Sequence, residues 1–307
     1  MTEVLPPRFE GTFRLEDGRR LGYAEYGPAD GKPLLWFHGT PGGRRQIAPR
    51  ARELALKRGV RLIAIERPGI GDSTSHSYAS LAEWAADIQA FCNAKEIDRF
   101  MVCGLSGGGP YALACAYYLQ DRVLAVTVLG GVAPTRGEDA TDGGVASLAR
   151  VAGPLVKRLR VPLNRVLLTL VKSMESRVDS AMNAFARLMP PGDQAVFEDP
   201  SIRYMFEDDI VLASRRQMQA MLHDVVIFGR DWGFLLSQID TPVYLLYGDS
   251  DNIVPLEHGK HMADRLPAAE LRVRPGEGHL GGFGASEEIF DDLLSHWPRV
   301  RARRKTG

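Results

Sequence analysis

The sequence predicts an α/β fold: a mostly parallel, twisted sheet of about eight strands with helices on both faces and an inserted helical cap. Three observations predict it. Short apolar runs alternate with segments of helical period as far as Leu129. Strand-like runs then cease for about a hundred residues, which keep only helical spacing. Strand and helix patterns alternate again from Val243.

The chain begins with a hairpin pattern, Gly11 to Leu15 and Leu21 to Tyr26 about the turn Glu16-Asp17-Gly18. Leu34 to Phe37, Arg61 to Ile65, Phe100 to Gly104 and Val123 to Leu129 are apolar runs of strand length. Gln46 to Arg58, Ser80 to Lys95 and Ser106 to Leu119 carry the helical period between them. From Ala133 the apolar positions Leu163, Val166, Leu170, Met174, Val178, Met182 and Phe185 recur at helical spacing, the mark of an all-helical insertion. Strand Val243 to Tyr247, a helix around Leu256 to Leu266, a weak strand Leu271 to Arg274 and a helix around Ser286 to Trp297 follow. The expected organisation is a core in two parts, 9–132 and 232–298, a helical cap at 133–231, and a basic tail at 299–307.

Composition narrows the functional classes. With 307 residues, 45% hydrophobic and 25% charged, the chain matches ordinary globular proteins, not disordered or fibrous ones. Lys plus Arg equals Asp plus Glu at 38 each, so no net charge argues for nucleic acid as a partner. The basic cluster from Arg299 to Lys305 is read as a solvated end. Three cysteines, Cys92, Cys103 and Cys115, fall in helix, strand and helix patterns, which suits buried thiols and a cytoplasmic location. Neither a signal-peptide pattern at the start nor an apolar run long enough to span a membrane occurs, so no stable membrane insertion is expected. Oligomeric state is open.

Gly104-Leu105-Ser106-Gly107-Gly108 joins a strand to a helix, the setting that G-x-S-x-G requires. A serine attacks well only when a sharp turn holds its hydroxyl clear of the backbone and facing a base. Gly104 and Gly108 relieve the crowding where strand and helix converge, and the helix start aims free N–H groups at the reacting oxygen. The competing role for Ser106 is a plain helix N-cap.

His38-Gly39-Thr40-Pro41-Gly42-Gly43 directly follows a strand, and a tetrahedral oxyanion needs two preset donors. The N–H groups of Gly107 and Thr40 are the candidate pair; Pro41 has none to give. His38 and Gly39 are read as shaping this loop. An acid and then a base should come from later loops. Tyr247-Gly248-Asp249-Ser250-Asp251 and Gly276-Glu277-Gly278-His279 supply them. His279 stands in a Gly-rich loop, whereas His258, His261, His223 and His296 lie in helical patterns, so His279 is the expected base. Asp249 and Asp251 lie two apart in one turn; Asp251 is preferred as the acid, and Asp249 as a residue that shapes the loop.

Taken together, the H-G-T-P-G loop, the G-L-S-G-G elbow, Gly248 to Pro255 and G-E-G-H resemble the α/β-hydrolase superfamily, specifically its serine-dependent members with a helical cap. The resemblance runs from about Gly11 to Pro298, and Glu66-Arg67-Pro68-Gly69-Ile70-Gly71-Asp72-Ser73 resembles the family's D-R-P-G-x-G-x-S with Glu in the first place. It implies Ser106 as nucleophile, Asp251 as acid, His279 as base, and Thr40 and Gly107 as oxyanion donors. Epoxide hydrolases and haloalkane dehalogenases use an aspartate at the elbow and are disfavoured. No metal or cofactor is implied, and neither G-x-x-x-x-G-K-[ST] nor H-E-x-x-H occurs.

The expected reaction is hydrolysis of a small to medium, fairly apolar carboxylic ester through an acyl-enzyme, the partner being a small-molecule substrate. Alternatives are an aminopeptidase resembling proline iminopeptidases, a carbon–carbon bond hydrolase or a cofactor-free perhydrolase. The first has an elbow that is usually G-G-S-W-G, and would need an acid such as Glu198, Glu207, Asp208 or Asp209 to meet a substrate amine. A ligand-binding module on the same scaffold is the non-enzymatic alternative.

Overall fold

The computed structural model describes residues 4–144, 186, 187 and 189–298, with Leu155, Val156, Arg158, Leu159, Leu163, Val166 and Thr169 between them. Leu170, Met174, Val178, Met182 and Phe185 of the helical pattern, and the basic tail 299–307, lie outside the described residues.

β1 (Phe9–Arg14) and β2 (Arg20–Tyr26) form the opening hairpin, with Phe9 opposite Glu25. β3 (Lys32–Phe37), β4 (Val60–Ile65), β5 (Phe100–Leu105), β6 (Val123–Leu129), β7 (Val243–Gly248) and β8 (Ala269–Arg274) run parallel to one another. Among the described residues they make one eight-stranded sheet in the order β1-β2-β4-β3-β5-β6-β7-β8, with β2 antiparallel to β4. Side chains alternate across a strand, so an apolar run such as Leu34-Leu35-Trp36-Phe37 feeds both faces. Leu35, Phe37, Ile63 and Val102 meet Trp84, Ile88 and Phe91 of α2 (Leu81–Ala94) on one side, together with α3 (Gly109–Tyr118). Leu34, Trp36, Leu62 and Cys103 meet Ala51 and Leu54 of α1 (Pro49–Lys57) on the other.

The insertion between β6 and β7 carries α4 (Pro191–Glu198), α5 (Pro200–Ser214) and α6 (Gln219–Phe228). Its start differs from the all-helical expectation: residues 131–143 form neither helix nor strand. Pro134 cannot donate in a helix, and Gly137 and Gly143 adopt positive φ. This stretch is held by α7 (Leu256–Ala263), where buried His258 accepts from Ala133 N–H at 3.1 Å and meets Gly143 O at 3.2 Å. The final helix, α8 (Ser286–Ser295), packs beside α1.

Several boundaries shift for local reasons. The first helix begins at Pro49, not Gln46, because the Gln46 side chain accepts from Gly39 N–H at 2.6 Å and donates to Pro41 O at 3.1 Å. The helix after β5 starts as a tight turn, Ser106–Gly108, before α3. β8 is a full strand; it read as weak because Glu270, Arg272 and Arg274 alternate along a sheet edge. Arg272 and Arg274 pair with Glu288 of α8. All three cysteines are buried free thiols. No helix among the described residues is long and apolar enough to cross a membrane.

Glu66, at the end of β4, is fully buried, accepting from Arg44 Nη1 at 3.0 Å and from Asp72 N–H at 2.8 Å. Burial pushes its carboxyl up to about 7, against the opposing pull of the Arg44 charge. A carboxyl raised in the folded state binds its proton more tightly there than in the unfolded chain, so its contribution to stability declines between about pH 4.5 and 7. The stability of the wild type relative to Glu66→Gln is therefore expected to fall, on the order of 2 kcal/mol, as pH rises through this window. Urea unfolding of both proteins at pH 5 and pH 8 measures it; an unchanged difference would contradict the assignment.

Candidate active site

The loops after β3, β5, β7 and β8 meet at the carboxyl ends of the parallel strands, the crevice where open α/β sheets bind ligands. Ser106 stands at the end of β5 with φ 49°, a left-handed conformation uncommon for serine. Its flanking glycines admit no substitute. A Cβ on Gly104 would lie 2.7 Å from Gly108 O, and one on Gly108 would lie 2.3 Å from Phe37 O. Strand, elbow and helix thus converge closer than side chains permit.

Three of the residues singled out by sequence form one hydrogen-bonded row. Ser106 Oγ lies 2.8 Å from His279 Nε2, and His279 Nδ1 lies 2.6 Å from Asp251 Oδ2. The other Asp251 oxygen accepts from Ile253 and Val254 N–H at 2.8 and 2.9 Å, which fixes the carboxylate. Asp249 does not join this row. It accepts from Gly276 N–H at 2.8 Å and so ties the loop after β7 to the loop after β8. Ser250 N–H donates to Glu277 O at 3.0 Å and reinforces the tie.

Thr40 sits against Gly107: a Cβ on Gly107 would fall 2.2 Å from Thr40 Oγ1. Thr40 N–H makes no hydrogen bond among the described residues, and Gly107 lies in the first helical turn, where N–H groups lack intrahelical acceptors. His38 is buried and stays neutral, burial and the Arg67 charge holding its imidazole well below the usual range. Its Nδ1–H donates to Gly39 O at 2.8 Å, while Nε2 accepts from Arg67 N–H at 3.1 Å. Both nitrogens are engaged in shaping the loop.

Three aspartates of the inserted helices are buried; sequence reasoning did not single out Asp193 or Asp224, and named Asp209 only as an acid that could meet a substrate amine. Asp193 of α4 accepts from the N–H groups of His279 and Leu280, both at 2.8 Å. Asp209 of α5 accepts from Gly43 and Arg45 N–H at 2.8 and 2.9 Å. Asp224 of α6 pairs with Arg67. Burial raises Asp193 from its ordinary value and Asp209 to about 6, despite the N–H groups that lower both. Asp193 and Asp224 are single acids and Asp209 ends the run Glu207-Asp208-Asp209, all in helical stretches where a solvated face is the default reading. The other acids considered from sequence face elsewhere, Asp208 pairing with Arg45, Glu207 with Arg203, and Glu198 lying exposed.

Next to Ser106 and His279 lies a cavity of about 230 Å3, walled by Leu105, Met189, Phe206, Ile210, Leu280 and Phe283, with Asp209 and Gln46 as polar members. Gly276, Gly278 and Gly281 give the loop after β8 the spacing G-x-G-x-x-G, but it opens only a short turn, Gly281–Gly284, and Asp193 occupies the N–H groups of His279 and Leu280. No three His, Cys, Asp or Glu side chains among the described residues could jointly hold a metal ion.

The family model for the alpha/beta hydrolase fold matches residues 32–285. A bifunctional esterase/perhydrolase of Acinetobacter calcoaceticus is 25% identical over 93% of this chain and 98% of its own length. A proline iminopeptidase of Neisseria gonorrhoeae is 24% identical over 89% of this chain and 91% of its own. Among solved structures, an esterase from Rhodococcus sp. ECU1013 superposes with a TM-score of 0.64 at 21% identity, over 94% of this chain and 99% of that one.

Removing the Asp193 carboxylate would leave two N–H groups of the His279 loop without acceptors. Asp193→Ala is therefore expected to lose about 2–4 kcal/mol of stability in urea unfolding. A loss below about 0.5 kcal/mol, the range of ordinary surface changes, would mean that water replaces the carboxylate freely.

Proposed function

The chain belongs to the alpha/beta hydrolase fold family, and from that premise we propose that it is a serine hydrolase acting through an acyl-enzyme. One observation carries the proposal: the continuous row from Ser106 Oγ through His279 to Asp251, with contacts of 2.8 and 2.6 Å. In this reading His279 Nε2 takes the Ser106 proton as Oγ attacks the carbonyl carbon, and Asp251 holds the imidazole by its Nδ1–H and stabilises the cation. The developing oxyanion is received by the N–H groups of Thr40 and Gly107. His279 returns the proton to the leaving oxygen as the tetrahedral species collapses. Water then repeats the sequence on the acyl-enzyme and frees the acid.

The substrate we propose is a carboxylic ester with a short, apolar acyl group. A cavity of about 230 Å3 is smaller than the roughly 300–1,000 Å3 of pockets for drug-sized ligands. Its walls are apolar, and the ionised Asp209 disfavours a negatively charged acyl chain. The residues 133–231, of which α4–α6 are the described helices, act in this proposal as a cap that closes the cavity. The esterase named among the relatives is consistent with it.

A second reading draws on the same Asp209, a carboxylate in the cavity wall. An acid there suits a substrate with a free amine, and a relative of this chain is a proline iminopeptidase. Against it, Gly43 and Arg45 N–H groups already occupy both Asp209 oxygens.

A fluorophosphonate probe is expected to label the wild type and not Ser106→Ala; equal labelling of both would sink the assignment. On a panel of p-nitrophenyl esters from acetate to decanoate, turnover should favour the short chains. His279→Ala should lower kcat by at least about 10³-fold. Turnover of prolyl arylamides without turnover of esters would establish the second reading instead. Asp251→Asn should abolish most activity while Asp249→Asn keeps most of it; comparable losses would mean that loop geometry, not the Asp251 contact, matters.

A further inference from the structure

We infer that Arg67, held by Asp224 of the inserted helix α6, sets the orientation and strength of the oxyanion-binding peptide group; the inference rests on the serine-hydrolase reading. The peptide between Gly39 and Thr40 is a single plane carrying Gly39 C=O on one edge and Thr40 N–H on the opposite edge. Fixing the carbonyl therefore fixes the direction of the N–H. Arg67 Nη2 donates to Gly39 O at 2.9 Å, beside the bond from His38 Nδ1 at 2.8 Å. Arg67 Nη1 donates to His38 O at 2.5 Å and clamps the preceding peptide as well. A cation on the carbonyl polarises the amide and makes its N–H a stronger donor.

The guanidinium is itself over-determined. Arg67 and Asp224 are 2% and 1% exposed, so neither charge is shared with solvent. Arg67 Nε lies 3.1 Å from Asp224 Oδ1, and Nη2 lies 2.7 Å from Oδ2. Tyr111 donates its hydroxyl to Asp224 at 2.7 Å and places its ring 5.0 Å from the guanidinium carbon. The Thr40 hydroxyl closes the circuit, donating to Asp224 and accepting from Arg67 at 2.9 Å. Since that hydroxyl abuts Gly107, a shift of Thr40 would disturb both oxyanion donors together. Arg67 and Asp224 are thus positioning residues: neither is a member of the Ser106, His279 and Asp251 row, and α6 takes part in building the oxyanion site.

Kinetics on a soluble p-nitrophenyl ester, with thermal melting of each variant, test this. Arg67→Lys keeps a charge beside Asp224 but lacks the planar fork that reaches two carbonyls. It is expected to lower kcat about 30–300-fold, near the loss of one oxyanion donor, with KM changed less than about threefold. Its affinity for an arylboronic acid, which forms a tetrahedral anion on Ser106, should fall by a similar factor. The variant Arg67→Met/Tyr111→Phe/Asp224→Leu removes the buried charges and the Tyr111 hydroxyl, and should still melt cooperatively, below the wild type because the Thr40 hydroxyl and His38 O lose partners. Its kcat should nevertheless stay low, because an apolar filling restores packing but not the clamp on Gly39 O. Wild-type kcat in either folded variant would overturn the inference and leave the serine-hydrolase reading standing. A wild type that neither hydrolyses esters nor reacts with fluorophosphonate would overturn both.

Discussion

At Ser106 the backbone holds φ at 49°, a conformation that costs a non-glycine residue about 1–3 kcal/mol and persists only where its surroundings enforce it. The enforcement comes from β5 running into a helical turn with no spacer between them. That junction leaves no room for a side chain at Gly104 or Gly108, and Gly108 in turn presses on the carbonyl at the end of β3. The loop after β3 is thereby brought beside the elbow, and Thr40 meets Gly107. With β5 lying inside the sheet between β3 and β6, loops from either side can converge on one hydroxyl. The loops bearing Asp251 and His279 reach it from β7 and β8 because β3 to β8 are parallel and end on the same side.

What surrounds this row is governed less by the sheet than by the inserted helices. Asp193, Asp209 and Asp224 each sit in a different helix; Asp193 bonds the loop after β8, Asp209 the loop after β3, and Asp224 both Arg67 and Thr40. A buried carboxylate is costly unless its oxygens accept hydrogen bonds, and backbone N–H groups in tight loops are costly unless they find acceptors. The Asp193 and Asp209 contacts meet both requirements at once, while Asp224 instead offsets the buried charge of Arg67. The raised position of Asp193 and Asp209 reflects the burial that the N–H groups only partly offset.

Much of this architecture could be read from the chain. The strands of a sheet covered on both faces are continuous apolar runs, so Leu34 to Phe37 and Val123 to Leu129 were unmistakable. The motif residues Ser106, His279 and Asp251 were found because glycines and turn residues mark the loops that carry them. Gln46 read as the start of a helix because its amide pattern suits one; only its contact with Gly39 N–H, a tertiary fact, removes it. β8 read as weak because edge strands carry charge. The buried partners of Asp193, Asp209 and Asp224 were illegible for a stricter reason. An acid on a helix carries no local sign of whether it faces water or a backbone 86 or 166 residues away in sequence. Arg67 was noticed as part of a motif, but its partner could not be.

These anchoring aspartates also bear on how such a scaffold changes its repertoire over time. An insertion fastened only at its two ends could be traded wholesale between relatives. One whose carboxylates complete the hydrogen bonding of the core cannot, because a donor segment lacking acids at the same three registers would strand buried N–H groups and the Arg67 charge. Diversification is then easier at apolar wall positions such as Met189, Phe206 and Ile210, whose side chains line the cavity and hold no hydrogen bond to the core. The insertion is separable on paper, yet in its chemistry it is one piece with the sheet.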